Sequence, residues 1–293
     1  MFGIRRLIQN SLSEKQRIRV ANLMFAGASS LLPVGRGQFR VLSAADRLEF
    51  GALALSGDSA RVRATVIDAA EKIYGREWDY ASGSLNKEPL HCFERTIKEL
   101  SVDCGRIDYL EIGSAQGMSM SFIGLYLKRL GRLGTLVSVD PYFDGGYTEE
   151  GIHPYTGRHP YRFHNTVDKG TKLAAASLYE MLGLNVWQVE KTSREGLAQL
   201  LRDNKKFDLV FIDGYHAELT PALDFGMSLN LLRHGGAIML DDHLCNDVKP
   251  IKRLCDRHCR RIAHCSKIAC NGPKVAETPN GPKVVETSAP RFF

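Results

Sequence analysis

The sequence of 293 residues predicts an α/β fold, a doubly wound and mostly parallel seven-stranded sheet with a helical N-terminal extension. Two observations carry the prediction. From Ile107 onward, short β-rich runs that are apolar on both faces alternate with longer amphipathic segments, the pattern of a parallel sheet covered by helices on both sides. Before that point the alternation is missing, and helix starts precede runs with apolar residues three and four apart. The composition, 44% hydrophobic and 25% charged, is that of a globular domain and excludes disordered, collagen-like and disulfide-scaffold chains.

Taken in order, Ser11-Leu12-Ser13-Glu14 has capping-box spacing, and Ser43-Ala44-Ala45-Asp46 and Asp58 offer further helix starts. Gly35-Arg36-Gly37 separates two helices, and Trp78 to Pro89 reads as a connection. Strands are predicted at Ile107–Ile112, Thr135–Asp140, Asn185–Val189, Phe207–Ile212 and Gly236–Leu240, with helices near 116–130, 167–182, 193–204 and 217–232 between them. After Asp247 a further helix carries Val248, Ile251, Leu254, Cys255, His258, Cys259 and Ile262 on its apolar face. Ile262–Cys270 is a strand candidate, and the tight-turn pair Asn271-Gly272 leads into a last one at Lys274–Glu277. The segment Asn271–Pro279 is repeated in Asn280–Ser288, so either copy can supply that last antiparallel strand. The domain reading is a helical extension at 1–100, the sheet domain at 101–288 and a tail at 289–293.

Charge is unevenly placed. From Asp247 to the end there are 10 basic and 4 acidic residues, which accounts for the whole net charge of +6. The body of the protein is neutral, so composition gives no reason to expect nucleic acid as a partner. The longest uncharged stretch near the start, Val20–Gly35, is too short and too polar for a bilayer span. Residues 1–19 can pack as a helix or form a dimer contact, with a weak peripheral membrane contact as the alternative. Seven cysteines without a recognisable framework suggest reduced thiols and a cytoplasmic location.

Ligands of such sheets bind beyond the carboxyl ends of the strands. The first strand ends in Leu110-Glu111-Ile112-Gly113-Ser114-Ala115-Gln116-Gly117, where Gly113 and Gly117 let the backbone turn and approach a ligand. Ala115 stands where a dinucleotide cradle would have glycine. The second strand ends in Asp140, an acid that can accept from ribose hydroxyls, so a nucleoside without a diphosphate suits both features.

With Phe207-Asp208-Leu209-Val210-Phe211-Ile212-Asp213-Gly214-Tyr215-His216 and the later block Leu231–Asp242, the sequence resembles the class I S-adenosylmethionine-dependent methyltransferases over roughly residues 107–270. The resemblance implies a Rossmann-like domain whose Glu111, Gly113, Ser114, Ala115 and Gly117 hold the methionine part of S-adenosylmethionine and whose Asp140 holds the ribose. It further implies that residues around Lys191, Thr192 and Ser193 border the adenine and that Asp213 flanks the cofactor.

Asp213 closes the fourth predicted strand, and Asp241 and Asp242 close the fifth. Three carboxylates converging on one crest favour a divalent cation, Mg²⁺ by donor type, with helix capping as the alternative. The Ile-Asp-Gly-x-His and Leu-Asp-Asp-His strings resemble metal-dependent small-molecule O-methyltransferases of the macrocin and novobiocin sugar-tailoring kind, and cephalosporin-hydroxylase-like proteins. Attack on the sulfonium carbon needs an alkoxide-like nucleophile, which makes His243 and His216 the base candidates, His243 slightly preferred. The predicted irregular link Pro141–Asn165 holds six aromatics, and Tyr142, Phe143, Tyr147, Tyr155 and His159 in it are candidate contacts to the acceptor. The sequence thus reads as an enzyme transferring a methyl group to a hydroxyl of a sugar-containing or aromatic metabolite, acting as a homo-oligomer. The alternatives are a non-catalytic binding subunit that retains the fold and a metal-independent methyltransferase.

Overall fold

A computed structural model describes residues 56–75, 85, 87–152, 160–165, 167–215, 219–241, 248, 251, 275–278 and 281–284. In chain order these form α1 (Gly57–Tyr74), α2 (Lys87–Asp103), β1 (Ile107–Ile112), α3 (Met118–Arg129), β2 (Leu133–Asp140), β3 (Tyr147–Ile152), β4 (Pro160–Asn165), α4 (Lys169–Met181), β5 (Val186–Glu190), α5 (Ser193–Arg202), β6 (Phe207–Ile212), α6 (Thr220–Leu231), β7 (Leu232–Leu240), β8 (Val275–Thr278) and β9 (Gly281–Val284). The main sheet has the order β5-β2-β1-β6-β7, and all four of its pairings are parallel. Starting outward from β1 in both directions, the chain winds the sheet twice, which leaves the carboxyl ends of β1 and β6 side by side at the reversal point.

The central strands β1, β2 and β6 bury both faces, so alternate residues belong to different cores. Ile107, Tyr109, Leu209 and Phe211 face one cluster together with α1, α2, α3 and α4. Leu110, Ile112, Val210 and Ile212 face a second, closed by Leu197 and Leu200 of α5 and Phe225 and Leu229 of α6. Period-two alternation sends neighbouring residues to opposite layers, which explains why the strands read as continuous apolar runs. Helices α1 and α2, from the predicted extension, share the first core: Phe93 of α2 meets Phe211 edge-on with ring centroids 4.9 Å apart.

Helix α1 starts two residues earlier than a cap at Asp58 would require. Ser56 is its N-cap, accepting from the Ser59 amide, and Asp58 sits in the first turn where it complements the helix dipole. Helix α2 starts at Lys87 inside the predicted connection, because Pro89 is compatible with a first helical turn. The two helices are tied by Glu94, which accepts from the Ser56 amide at 3.3 Å and pairs with Lys98. Burial pushes the Glu94 carboxyl up, yet hydrogen bonds with Lys98, Ser56 and Ser59 outweigh it and bring the carboxyl down to about 2. At the amino ends of the strands, Arg233 bridges Asp108 and Asp208, both at 2.6 Å, while Asp208 also accepts from the Asp108 amide.

Two expectations are corrected. Among the described residues the main sheet has five strands and not seven, and the repeat copies pair with each other: β8 and β9 form a separate antiparallel ladder, Val275 opposite Val284. The link after Asp140 is not irregular throughout, since β3 and β4 pair antiparallel from Tyr147–Asn165 to Ile152–Pro160. The first 55 residues, with their predicted helix starts and membrane or dimer contact, lie outside the described residues. So do the Cys-rich C-terminal segment apart from Val248 and Ile251, both buried. Among the described residues, no helix is long and apolar enough to cross a membrane.

Candidate functional site

The carboxyl ends of four adjacent strands form one continuous crest, held in register by the main chain. Asp241 donates its amide to the Ile212 carbonyl at 3.0 Å, Asp213 to Ile112 at 2.8 Å, and Gly113 to Val139 at 2.9 Å. Along the crest the order is therefore Asp241, Asp213, Gly113, Asp140, a span of about 15 Å at ~4.8 Å per strand.

The loop from β1 to α3 is built on left-handed backbone at alternate residues: Gly113 at φ 84°, Ala115 at 41° and Gly117 at 75°. Glycine is required at 113, since a Cβ there would lie 2.1 Å from the Asp213 carbonyl oxygen. It is required at 117 as well, where a Cβ would lie 2.4 Å from the Tyr179 hydroxyl. Ala115 adopts the glycine-like conformation despite its Cβ, at a cost of about 1–2 kcal/mol. Helix α3 then begins at Gly117 without a side-chain cap.

Asp140 secures this loop. Its carboxylate accepts the Ala115 amide at 3.0 Å on one oxygen and the Tyr142 amide at 3.1 Å on the other. Burial raises its proton affinity, and hydrogen bonds from the Ala115, Tyr142 and Ser114 amides oppose the rise. With the Ala115 and Tyr142 amides on separate oxygens and the Ser114 amide close by, the carboxylate keeps a lone-pair direction for a further donor.

Glu111 is fully buried on the same face as Tyr109, towards α3 and α4. One of its oxygens accepts from the Ser119 hydroxyl. Among the described residues the second has no hydrogen bond of good geometry, nor do the buried hydroxyls of Tyr109, Ser114 and Tyr179, although those of Tyr109 and Ser114 lie near enough to favour the ion. Loss of hydration on burial, joined by the nearby Asp140 charge, pushes the Glu111 carboxyl up to about 8 against hydrogen bonds that favour the ion. Four polar atoms short of good hydrogen bonds beside a glycine cradle fit the ammonium and carboxylate of an amino-acid cofactor end, or ordered water.

The remaining predicted residues divide. Asp213 and Asp241 are half-buried at neighbouring strand ends, as a shared role in cation binding requires. Asp242, His216 and His243 lie outside the described residues, as do Tyr155 and His159. Among the described residues no group of three His, Cys, Asp or Glu side chains could hold a metal ion. Two carboxylates are a fragment of an oxygen cage, and the fit to Mg²⁺ rests on Asp242 joining them. Thr192 is the N-cap of α5, accepting from the Glu195 amide at 3.4 Å and donating to the Glu195 carboxylate at 2.8 Å. Phe143 is exposed and meets the Tyr147 ring edge-on at 6.1 Å. Tyr142 turns the other way: it is buried, at φ 42°, and its hydroxyl donates to the Ala115 carbonyl at 3.2 Å. Its position supports the cofactor loop in place of an acceptor surface, because its amide and its hydroxyl are both committed to Asp140 and that loop.

Sequence reasoning missed Asp224. This aspartate of α6 is buried beside Gly214, and among the described residues neither carboxylate oxygen has a hydrogen bond of good geometry, Ser193 being the hydroxyl that lies near it. Burial pushes it up to about 7, offset in part by Ser193. An acid at a buried helical spacing was the only signal available. Tyr74 and Tyr179, which also touch the glycine loop, looked like ordinary core aromatics.

The family described as a methyltransferase domain matches residues 110–243. Among solved structures, an O-methyltransferase from Bacillus cereus in complex with SAH is 19% identical, with 73% of this chain and 84% of that one covered at a TM-score of 0.42. A calicheamicin methyltransferase is 11% identical, covering 80% and 93% at 0.43. A SAM-dependent methyltransferase from Agrobacterium tumefaciens is 10% identical, covering 53% and 44% at 0.36. No curated protein matches the chain significantly. The matched segment, from Leu110 to His243, spans the glycine loop, Asp140 and the crest carboxylates, and is similar to a methyltransferase domain.

Proposed function

We propose that the protein transfers the methyl group of S-adenosylmethionine to a hydroxyl oxygen of a small molecule, with a divalent cation held near Asp213, Asp241 and Asp242. The observation that carries this reading is the crest itself, where the glycine loop and Asp140 stand directly beside two carboxylates on the next two strands. When bound, the cofactor supplies an electrophilic methyl on a sulfonium. Gly113, Ser114, Ala115 and Gly117 would receive its methionine end, Glu111 would balance its cationic charge, and the free lone-pair direction of Asp140 would take its ribose. Asp213 and Asp241 would lower the acceptor hydroxyl's proton affinity through the shared cation, leaving His243 or His216 to take the proton. The exposed Phe143–Tyr147 pair offers aromatic faces to a sugar or planar acceptor, which supports a sugar-containing or aromatic metabolite.

Calorimetry with S-adenosylhomocysteine tests the cofactor site, and an absence of binding removes the reading. Methyl transfer to hydroxylated acceptors with Mg²⁺ or with chelator tests the cation. Activity that is unchanged in chelator removes the metal, and Asp213→Asn should abolish the divalent-dependent part while leaving cofactor affinity within a few-fold.

A further inference from the structure

Three tyrosines from three separate parts of the chain close on three consecutive residues of the β1–α3 loop. Tyr142, just after β2, donates its hydroxyl to the carbonyl of Ala115 at 3.2 Å. Tyr74, the last residue of α1, donates to the carbonyl of Gln116 at 2.8 Å. Tyr179 of α4 packs on Gly117 so tightly that no side chain can be added there. The loop needs such support, because Ala115 holds a left-handed conformation that an alanine leaves readily when free.

Tyr74 is the most informative of the three, since it reaches the loop from the N-terminal helices. Helix α1 is fixed at its start by Ser56 on Glu94 and by Asp58 on Arg129, the latter at 2.9 Å. Its buried stripe Val62, Val66, Ala69 and Ala70 packs into the core shared with α3 and α4. The helix is thus a rigid arm with an anchored base, and the Tyr74 hydroxyl is its contact with the cradle.

We propose that Tyr74 is a positioning residue for the cofactor loop, so that docking of α1 sets the affinity for S-adenosylmethionine and the N-terminal helices do more than wall the acceptor pocket. This rests on the reading of the β1–α3 loop as the cofactor cradle. Holding the carbonyls of Ala115 and Gln116 towards Tyr142 and Tyr74 fixes the two peptides that follow the Ala115 amide, which donates to Asp140, while the Gly117 amide closes the turn onto the Ser114 carbonyl at 2.6 Å. Without Tyr74, the loop must be ordered by the cofactor itself, and that cost lowers affinity without altering the bound geometry.

The test uses the full chain and S-adenosylhomocysteine as probe. Tyr74→Phe keeps the ring and removes one donor, so Kd for S-adenosylhomocysteine and KM for S-adenosylmethionine should rise two- to twelvefold, the equivalent of one hydrogen bond of about 0.5–1.5 kcal/mol. The kcat at saturation and the acceptor KM should stay unchanged. Asp58→Ala removes an exposed ion pair at the far end of the same helix while its buried stripe stays docked, and serves as the control, with Kd expected within about twofold of wild type. A Tyr74→Phe protein that loses stability but binds the probe as wild type does overturns the proposal, as does a shift in acceptor KM alone. If Tyr74→Phe does not fold, Tyr142→Phe removes the adjacent hydrogen bond and must give the same Kd-only signature. Failure of the wild-type protein to bind the probe overturns the cradle reading and this proposal together, whereas normal wild-type binding with an unaffected variant overturns this proposal alone.

Discussion

Replacing Glu111 by Gln should make the protein more stable in alkaline solution than the wild type, with a difference that grows steadily with pH. The carboxyl is fully buried, its second oxygen has no hydrogen bond of good geometry among the described residues, and its proton is held up to about pH 8, from an ordinary 4.5. In that window the folded protein keeps a proton that the unfolded chain releases. The sign follows: a carboxyl raised by folding contributes fully below pH 4.5, and its contribution is lost as pH rises towards 8. At about 1.4 kcal/mol per unit the whole interval corresponds to roughly 5 kcal/mol, a large part of a typical domain's stability. Glutamine matches the protonated acid in shape and keeps an oxygen for the Ser119 hydroxyl, so the substitution removes the titration and little else. Urea denaturation of both ligand-free proteins at pH 5 and pH 8.5 measures the effect. Titrating groups remote from the site, including buried Asp224, are common to both and cancel in the difference, whereas Asp140, whose charge is felt at Glu111, belongs to the effect being measured. Stability differences that agree within about 0.5 kcal/mol at the two pH values would refute the assignment of a raised carboxyl at 111.

Gly113→Ala should cost about 3 kcal/mol or more and abolish S-adenosylhomocysteine binding by calorimetry, because a left-handed residue acquires a Cβ that strikes the Asp213 carbonyl and forces β1 from β6. Arg233→Leu should cost about 1–3 kcal/mol in chemical denaturation by leaving Asp108 and the buried Asp208 without their shared cation. Since it acts at the amino ends of the strands, probe affinity should not change. Asp224→Asn should flatten the stability profile between pH 4 and 7, where burial makes the wild type lose stability as pH rises towards its raised value of about 7; parallel profiles for the two proteins would count against it. Ala115→Gly should relieve left-handed strain and leave the thermal midpoint equal to or above that of the wild type.

Much of the sheet was written in local pattern. Ile107–Ile112 and Phe207–Ile212 occur in the structure with the predicted bounds, and the other main strands differ by a few residues at their ends. Such runs are legible because a strand buried on both faces admits little but apolar residues, whatever its neighbours are. The hairpin of β3 and β4 was not legible: Tyr147–Ile152 carries two glutamates and a glycine, and only pairing with Pro160–Asn165 makes it a strand. The repeated tail was misassigned to the main sheet for a related reason, since identical copies can pair with one another as well as with an edge.

The sequence by itself determined the chemistry available at the crest: a glycine loop after β1, an acid after β2 and carboxylates after β6 and β7. These follow from residue type and spacing along single connections, where the chain has little freedom. Only the tertiary structure decided what those residues face. It gave both oxygens of Asp140 a backbone amide, turned Tyr142 inward onto Ala115 while Phe143 stayed exposed, and left Glu111 and Asp224 buried without sufficient partners. It also brought Tyr74 across 42 positions of sequence to the Gln116 carbonyl. Contacts of that kind depend on how layers pack, and the hydrophobic pattern that drives the packing is blind to where a single hydroxyl points.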